Sequence, residues 1–143
     1  MSLRGFLLGS GGAGSVSADF GLLLLRLVAG LSLALGHGLG KLPPSPEFMS
    51  GVAKMGFPLP EVFGWAAALS EFLGGILVAL GLLTRPAALL AFTTMAVALF
   101  VRHGSDPFPT KEKALLYAAV FLAILFTGAG RYSFDSAIGG KGK

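Results

Sequence analysis

The stretch VFGWAAALSEFLGGILVALGLL, residues 62–83, decides the fold. Glu71 is its single charged residue, and small and aliphatic side chains make up most of the rest. A helix needs about 20 apolar residues, at about 1.5 Å each, to cross a hydrocarbon layer of about 30 Å. Residues 62–83 therefore predict a transmembrane helix.

Three further apolar stretches predict additional spans, at residues 20–40, 86–101 and 111–127. The first has full spanning length, whereas the other two are near the lower limit and need flanking residues that reach the interface. Polar residues at the three starts, Asp19, Thr84 and Thr110, are predicted N-caps. Gly128 is the predicted end of the fourth span.

These spans predict an all-α integral membrane protein, a four-transmembrane-helix bundle over residues 20–136. The flanking residues, 1–19 and 137–143, are predicted to be flexible tails. The connection 41–61 is predicted to contain a short amphipathic helix, with Ser45 as its N-cap and Gly56 at its end. Its apolar residues recur at helical spacing and predict a helix on the membrane surface or a lid on the bundle: Phe48, Val52 and Met55.

The composition supports a membrane protein and excludes several chemistries. Hydrophobic residues make up 54% of the chain and charged residues 13%, where soluble domains have about 25% charged residues. The chain has no cysteine, so disulfides, iron–sulfur clusters and thiolate chemistry are excluded. The net charge of +4 comes from scattered residues rather than from a basic stripe, so we expect phospholipid headgroups and not nucleic acid as the acidic partner.

Ionisable side chains within apolar spans are functional candidates because burying them in lipid is costly. The candidates for a ligand or proton site are Arg26, His37, Glu71, Glu112 and Tyr117. In the first span a polar stripe is predicted to face the bundle, and it comprises Arg26, Gly30, Leu33, His37 and Lys41. It is predicted to pack on a small-residue stripe of the second span that surrounds Glu71.

Two interpretations of this contact remain open. In the first, Arg26 and Glu71 form a structural ion pair that sets the helix register. In the second, Glu71 and His37 form a ligand or proton site, with a quinone headgroup between them and its tail among the leucines of the first two helices. The spacing of the histidines and glutamates fits no metal-ligand motif, and no metal site is expected.

Several segments together resemble the DoxX family of small bacterial membrane proteins, over about residues 20–136. The resemblance rests on LRLVAG at 25–30, HG at 37–38, EFLGG at 71–75, LGLLTR at 80–85, EKALLY at 112–117 and GAGRYSFD at 128–135. It implies four membrane helices with both termini in the cytoplasm of a bacterium. The matching positions also include residues interpreted as interfacial or structural, namely Lys41, Arg85, Arg131 and Asp135.

The resemblance implies function loosely, since some family members are linked to quinone-dependent redox complexes. The first hypothesis is a membrane subunit of such a complex that binds quinone or a similar small amphiphile beside a redox protein partner. The alternatives are a non-catalytic assembly subunit and a small-solute permease, which would need a homo-oligomer. The sequence does not decide whether the protein is an enzyme, and its lysines and arginines divide equally between the two membrane sides, so the charge count does not orient the chain.

Overall fold

The computed structural model describes residues 15–139, and all regular secondary structure in this part of the chain is helical, with no strand. Residues 1–14 and 140–143 of the predicted tails lie outside it, whereas residues 16–19 and 137–139 of those tails are helical. Six α-helices follow one another: α1 Val16–Leu33, α2 Pro46–Lys54, α3 Pro60–Leu80, α4 Thr84–Val97, α5 Phe108–Thr127 and α6 Phe134–Gly139. A π-helical turn, Ala34–Gly38, and a 3₁₀ turn, Leu39–Lys41, extend α1, and a second π-helical turn, Ala98–Arg102, extends α4.

Three helical segments among the described residues are long and apolar enough to span a membrane: Val16–Lys41, Pro60–Leu80 and Thr84–Arg102. The first begins four residues and the third two residues before the predicted start, and each ends one residue beyond its predicted end. The fourth predicted span lies in α5, which has 20 residues. Lys111, Glu112 and Lys113 occupy its second turn, so its apolar part is only the remaining two thirds.

The predicted N-caps of three helices are wrong. Ser15 caps α1 by accepting a hydrogen bond from the Ala18 N–H at 3.2 Å, and Asp19 lies in the first turn. The residue before α4 is Leu83, with a left-handed φ of 47°, and Thr84 is the first helical residue. Thr110 lies inside α5, which begins two residues earlier. The predicted end at Gly128 is confirmed.

Small residues form the contact between α1 and α3. A Cβ added to Gly30 would lie 2.5 Å from the Gly75 carbonyl oxygen, and one added to Gly75 would lie 2.6 Å from that of Gly30. One added to Gly38 would meet the backbone of Phe72. The contact between the first two spans is thus confirmed, but its stripe on α1 runs through Gly30, Ala34 and Gly38 rather than through His37.

The bundle keeps small side chains inside and large apolar side chains outside. Alanines at positions 34, 68, 88 and 91 are completely buried, whereas Phe100 and Phe126 are each 74% exposed. Exposed leucines, valines and phenylalanines continue this apolar surface around the helices. Such a surface is too large and continuous for a water-soluble monomer, and hydrocarbon chains are its natural environment.

The amphipathic helix α2 forms where the sequence predicts it. Ser45 accepts a hydrogen bond from the Phe48 N–H at 3.2 Å, and Gly56 has a positive φ of 87° just beyond the helix. Val52 is buried, and Met49 packs directly against Gly64 of α3. The helix therefore lies against the bundle and covers the end of α1 that carries Lys41.

Candidate functional site

Arg26 is completely buried, and backbone carbonyl groups surround its guanidinium group. Nη1 donates to the carbonyls of Val78 and Ala79 at 3.3 and 3.5 Å, and Nη2 donates to that of Tyr132 at 2.6 Å. The first two carbonyls belong to the last turn of α3, where helix carbonyls run out of intrahelical donors, and that of Val78 also accepts from the Gly81 N–H at 3.1 Å. Arg26 therefore caps α3 and ties it to the C-terminal segment.

Two carboxylates complete this arrangement. Asp135 accepts hydrogen bonds from the backbone N–H groups of Leu83 and Thr84 at 2.8 and 2.9 Å, which caps α4 from 51 residues away. Asp19 accepts from the Arg131 N–H at 3.0 Å and lies 3.4 Å from the Arg131 guanidinium. We call Asp19, Arg26, Arg131 and Asp135 the terminal cluster, since it attaches the segment after α5 to the bundle.

Glu71 pairs with Lys41, not with Arg26. The Lys41 Nζ lies 2.6 Å from each carboxylate oxygen of Glu71, whose side chain is only 3% exposed. Lys41 is 30% exposed and also lies over the Phe48 ring of α2, 5.5 Å from its centroid. The predicted Arg26–Glu71 ion pair is therefore wrong. The side chain of Lys41 extends from the 3₁₀ turn after α1 to Glu71 of α3.

The Lys41–Glu71 pair borders a cavity of about 240 Å³. Met95, Ala98 and Ala114 contribute its apolar wall. Its remaining walls are polar or aromatic, and they bring α1, α3, the end of α4 and α5 together: His37, Lys41, Glu71, His103, Thr110, Lys113 and Tyr117. We call His37, Lys41, Glu71, His103, Lys113 and Tyr117 the cavity cluster.

His37 reaches the cavity through the π-helical turn of α1. Its ring makes an edge-to-face contact with Tyr117 of α5, with centroids 5.7 Å apart and planes at 81°. Tyr117 in turn stacks on the buried Phe121, 6.2 Å away. A π-helical turn adds one residue to a helical turn and is often found at functional sites. Here it directs Gly38 to α3 and leaves His37 facing α5.

Two further members of the cavity cluster come from the opposite side, His103 from the end of α4 and Lys113 from α5. His103 follows the π-helical turn of α4, and its Nδ1 lies 2.7 Å from the Asp106 carboxylate. Lys113 lines the cavity, and the described residues place no carboxylate within 4 Å of its amine. Glu112, the residue before Lys113, is exposed on α5 and does not line the cavity, so the structure does not bring this candidate into the site.

A larger apolar groove of about 780 Å³ adjoins the cavity between α1 and α5. Its walls are mainly aliphatic, including Leu25, Val28, Leu35 and Leu116. Three members of the cavity cluster line both spaces: His37, Lys113 and Tyr117. The polar cavity and the apolar groove therefore meet.

The cavity cluster is rich in hydrogen-bond donors. Lysine amines donate only, a tyrosine hydroxyl donates or accepts, and an imidazole does both. The single carboxylate, Glu71, is already bound by Lys41. The arrangement suits a ligand whose polar atoms accept hydrogen bonds, and His37 and Glu71 are groups that can exchange protons with it.

Four members of this cluster, His37, Lys41, Glu71 and Tyr117, are candidates or matched positions in the sequence, whereas His103 and Lys113 are not among the predicted site residues. His103 was visible as the second histidine at the same membrane side as His37. No sequence pattern marked Lys113 as a cavity residue, since a lysine in a polar stretch usually faces water. Arg85, matched in the sequence, lies instead at the other end of the bundle and donates to the Phe126 carbonyl at 3.4 Å.

These features define a multi-pass helical membrane protein with a polar cavity beside a membrane-facing groove. Residues 21–104 match the DoxX family, so the match includes α1 to α4 and His37, Lys41, Glu71 and His103. This chain belongs to the DoxX family, as its sequence motifs indicated.

Three relatives cover most of both chains. An uncharacterized protein of Haemophilus influenzae is 37% identical over 123 residues, covering 80% of this chain and 88% of the relative. Inner membrane protein YqjF of Escherichia coli K12 is 31% identical, with coverages of 86% and 95%. Inner membrane protein YphA of the same organism is 30% identical, with coverages of 82% and 94%. No solved structure gives a significant match. Together these findings identify a bacterial inner membrane protein.

Proposed function

We propose that this protein is a membrane subunit that binds a quinone or a similar carbonyl-bearing amphiphile and supports a redox partner. One observation carries the proposal: hydrogen-bond donors and proton-exchanging groups converge on a small cavity that meets an apolar groove. Ligand sites typically combine an apolar lining with a few convergent polar groups. A quinone matches both parts, because its ring carbonyls accept hydrogen bonds and its tail is apolar.

The residues that line the cavity and the groove have different proposed roles, according to their chemistry. His37, Lys113 and Tyr117 lie where the cavity meets the groove, so their donors face a headgroup whose tail lies in the groove. Glu71 and Lys41 form the opposite polar wall. Reduction of a quinone consumes protons, and an imidazole or a carboxylate beside the ring can deliver them. The chain itself has no cysteine for an iron–sulfur cluster, so a partner protein is proposed as the source of electrons.

We further propose that both termini lie in the cytoplasm, which places the cavity cluster near the periplasmic face. The start of α1 and α6 then lie at the cytoplasmic end together with the terminal cluster. Lys41 and α2 lie at the opposite end. The ligand would exchange protons with the periplasmic side of the membrane.

Equilibrium binding of a short-tailed benzoquinone to the purified protein in lipid nanodiscs tests the function. His37→Ala and Glu71→Gln should each weaken binding by about tenfold, the effect of roughly 1.4 kcal/mol. The double variant should lose less than the product of the two effects, because both residues act on one ligand. Glu112→Gln is the matched control, since it removes an exposed carboxylate and should leave affinity unchanged.

Absence of saturable binding to the native protein would overturn the proposal. So would equal affinities for the native protein and the two cavity variants, with all proteins shown to be folded by circular dichroism. In either case the assembly-subunit alternative would gain support, because that role requires no ligand in the cavity.

A further inference from the structure

The four long helices form a ring that is incomplete on one side. Close packing joins α1 to α3, α3 to α4 and α4 to α5, whereas α1 and α5 touch at far fewer positions. The groove occupies this seam. An open seam between two membrane helices faces the bilayer rather than water, so its contents exchange with lipid.

The walls of the groove have the exposure expected of a lipid-facing surface. Val28 is 66% exposed, Leu35 57% and Leu116 59%. These side chains lie beside the seam, and most of their apolar surface is not buried in the protein core. They are instead available to the hydrocarbon tail of another molecule.

The volumes of the two spaces suit the two parts of an amphiphile. Ligand pockets usually measure about 300–1,000 Å³. The cavity, at about 240 Å³, falls just below that range and the groove, at about 780 Å³, falls within it. The first volume suits a headgroup and the second an apolar chain, and the two spaces meet where His37 and Tyr117 make their ring contact.

We infer that the α1–α5 groove is a lateral portal, through which the amphiphile reaches the cavity from within the bilayer. The apolar tail of the same ligand is the occupant of the groove once the headgroup is bound. This inference rests on the proposed function and adds the route and the tail site. The sequence predicts that the tail lies among the leucines of the first two membrane helices, α1 and α3. The inference places the tail between α1 and α5 instead, because the backbones of α1 and α3 are in contact.

Gly36 offers a direct way to close the portal. It lines the groove within the π-helical turn, and a Cβ added there would meet no atom within 4 Å. A phenylalanine at this position therefore projects into the groove without disturbing the protein interior. Gly21 is the matched control, since it lies on the same helix, is equally open and does not line the groove.

The experiment compares Gly36→Phe with Gly21→Phe, using a decyl-tailed benzoquinone and the same ring without a tail. Gly36→Phe should weaken binding of the tailed probe by roughly tenfold, the effect of about two buried methylene groups. It should leave the equilibrium affinity of the tail-less probe unchanged but slow the association of both probes, because both enter through the portal. Gly21→Phe should change neither the affinities nor the association rates. Ser32→Phe, another exposed groove position, should repeat the result if Gly36→Phe fails to fold.

The outcomes separate the two proposals. If both probes bind the native protein but Gly36→Phe and Ser32→Phe change the affinity of both probes equally, or of neither, the tail site is overturned and the proposed function stands. If the two variants leave the association rates of both probes unchanged, the portal is overturned. If neither probe binds the native protein, the proposed function fails, and the portal fails with it.

Discussion

The two ends of this bundle bury charged residues in opposite ways. In the terminal cluster, Arg26, Asp19 and Asp135 bind backbone groups directly, and Arg26 is completely buried. In the cavity cluster, Lys41 and Glu71 bind each other while Lys113, His37 and Tyr117 border an open space. The first arrangement uses charge to close helix ends, whereas the second leaves donors available to a ligand.

The comparison shows that depth of burial does not identify a functional charge. Arg26 is the most deeply buried ionisable residue described here, but its hydrogen bonds explain its presence as a helix cap. Lys113 is exposed, and yet it borders both the cavity and the groove. What matters is whether the protein's own backbone already satisfies the charged group.

The largest expected effect comes from removing the cap. Arg26→Ala removes the guanidinium donor from the carbonyls of Ala79 and Tyr132, so the free energy of unfolding should fall by about 3 kcal/mol or more. Thermal unfolding in detergent measures this loss. Arg102→Ala, which removes an exposed arginine, should cost less than about 0.5 kcal/mol. Similar unfolding temperatures for the two variants would contradict a structural terminal cluster.

A smaller loss of stability is expected at the other end. Glu71→Gln deprives Lys41 of its partner, but Lys41 is 30% exposed and can turn toward water or headgroups. We therefore expect a loss of about 1–2 kcal/mol, below the roughly 3–5 kcal/mol that removing one partner of a fully buried pair costs. Adding Lys41→Met should recover part of it, and a double-mutant cycle measures the coupling. A loss as large as that of Arg26→Ala would remove the distinction between the two ends.

The smallest expected effect compares two neighbouring lysines. Lys113→Gln removes a cation that borders the cavity, whereas Lys111→Gln removes one that donates to the Gly104 carbonyl at 3.1 Å outside it. Quinone affinity should fall by about threefold for Lys113→Gln, since a lost charged donor at a partly exposed site costs about 0.5–1 kcal/mol. Lys111→Gln should leave affinity unchanged. Equal affinities for both variants would exclude Lys113 from the site.

The sequence was sufficient for the helical architecture because hydrophobic length and proline, glycine and serine signals act locally. The amphipathic helix α2 and the close contact of the first two spans followed from such signals. The cap of α4 did not, since Asp135 reaches it across 51 residues. No local pattern marks a cap that arrives from a distant part of the chain.

The candidate site was predictable only in part, for a geometrical reason. A regular helical wheel places Arg26, His37 and Lys41 on one face, and it led to the wrong partner for Glu71. The π-helical turn at Ala34–Gly38 changes the phase of the helix just before His37. Because the sequence contains no local signal for this π-helical turn, the contact of His37 with Tyr117 could not be predicted and is seen only in the structure.

Photoaffinity mapping tests the central claim most directly, namely that a quinone-like amphiphile occupies the cavity. A benzoquinone bearing a photoreactive group on its ring is irradiated with the native protein in nanodiscs, and the labelled peptides are sequenced. We predict that label falls on residues around His37 and Tyr117, is displaced by unlabelled quinone and is reduced in Glu71→Gln. Label spread along the exposed apolar surface, undiminished by competitor, would contradict the account.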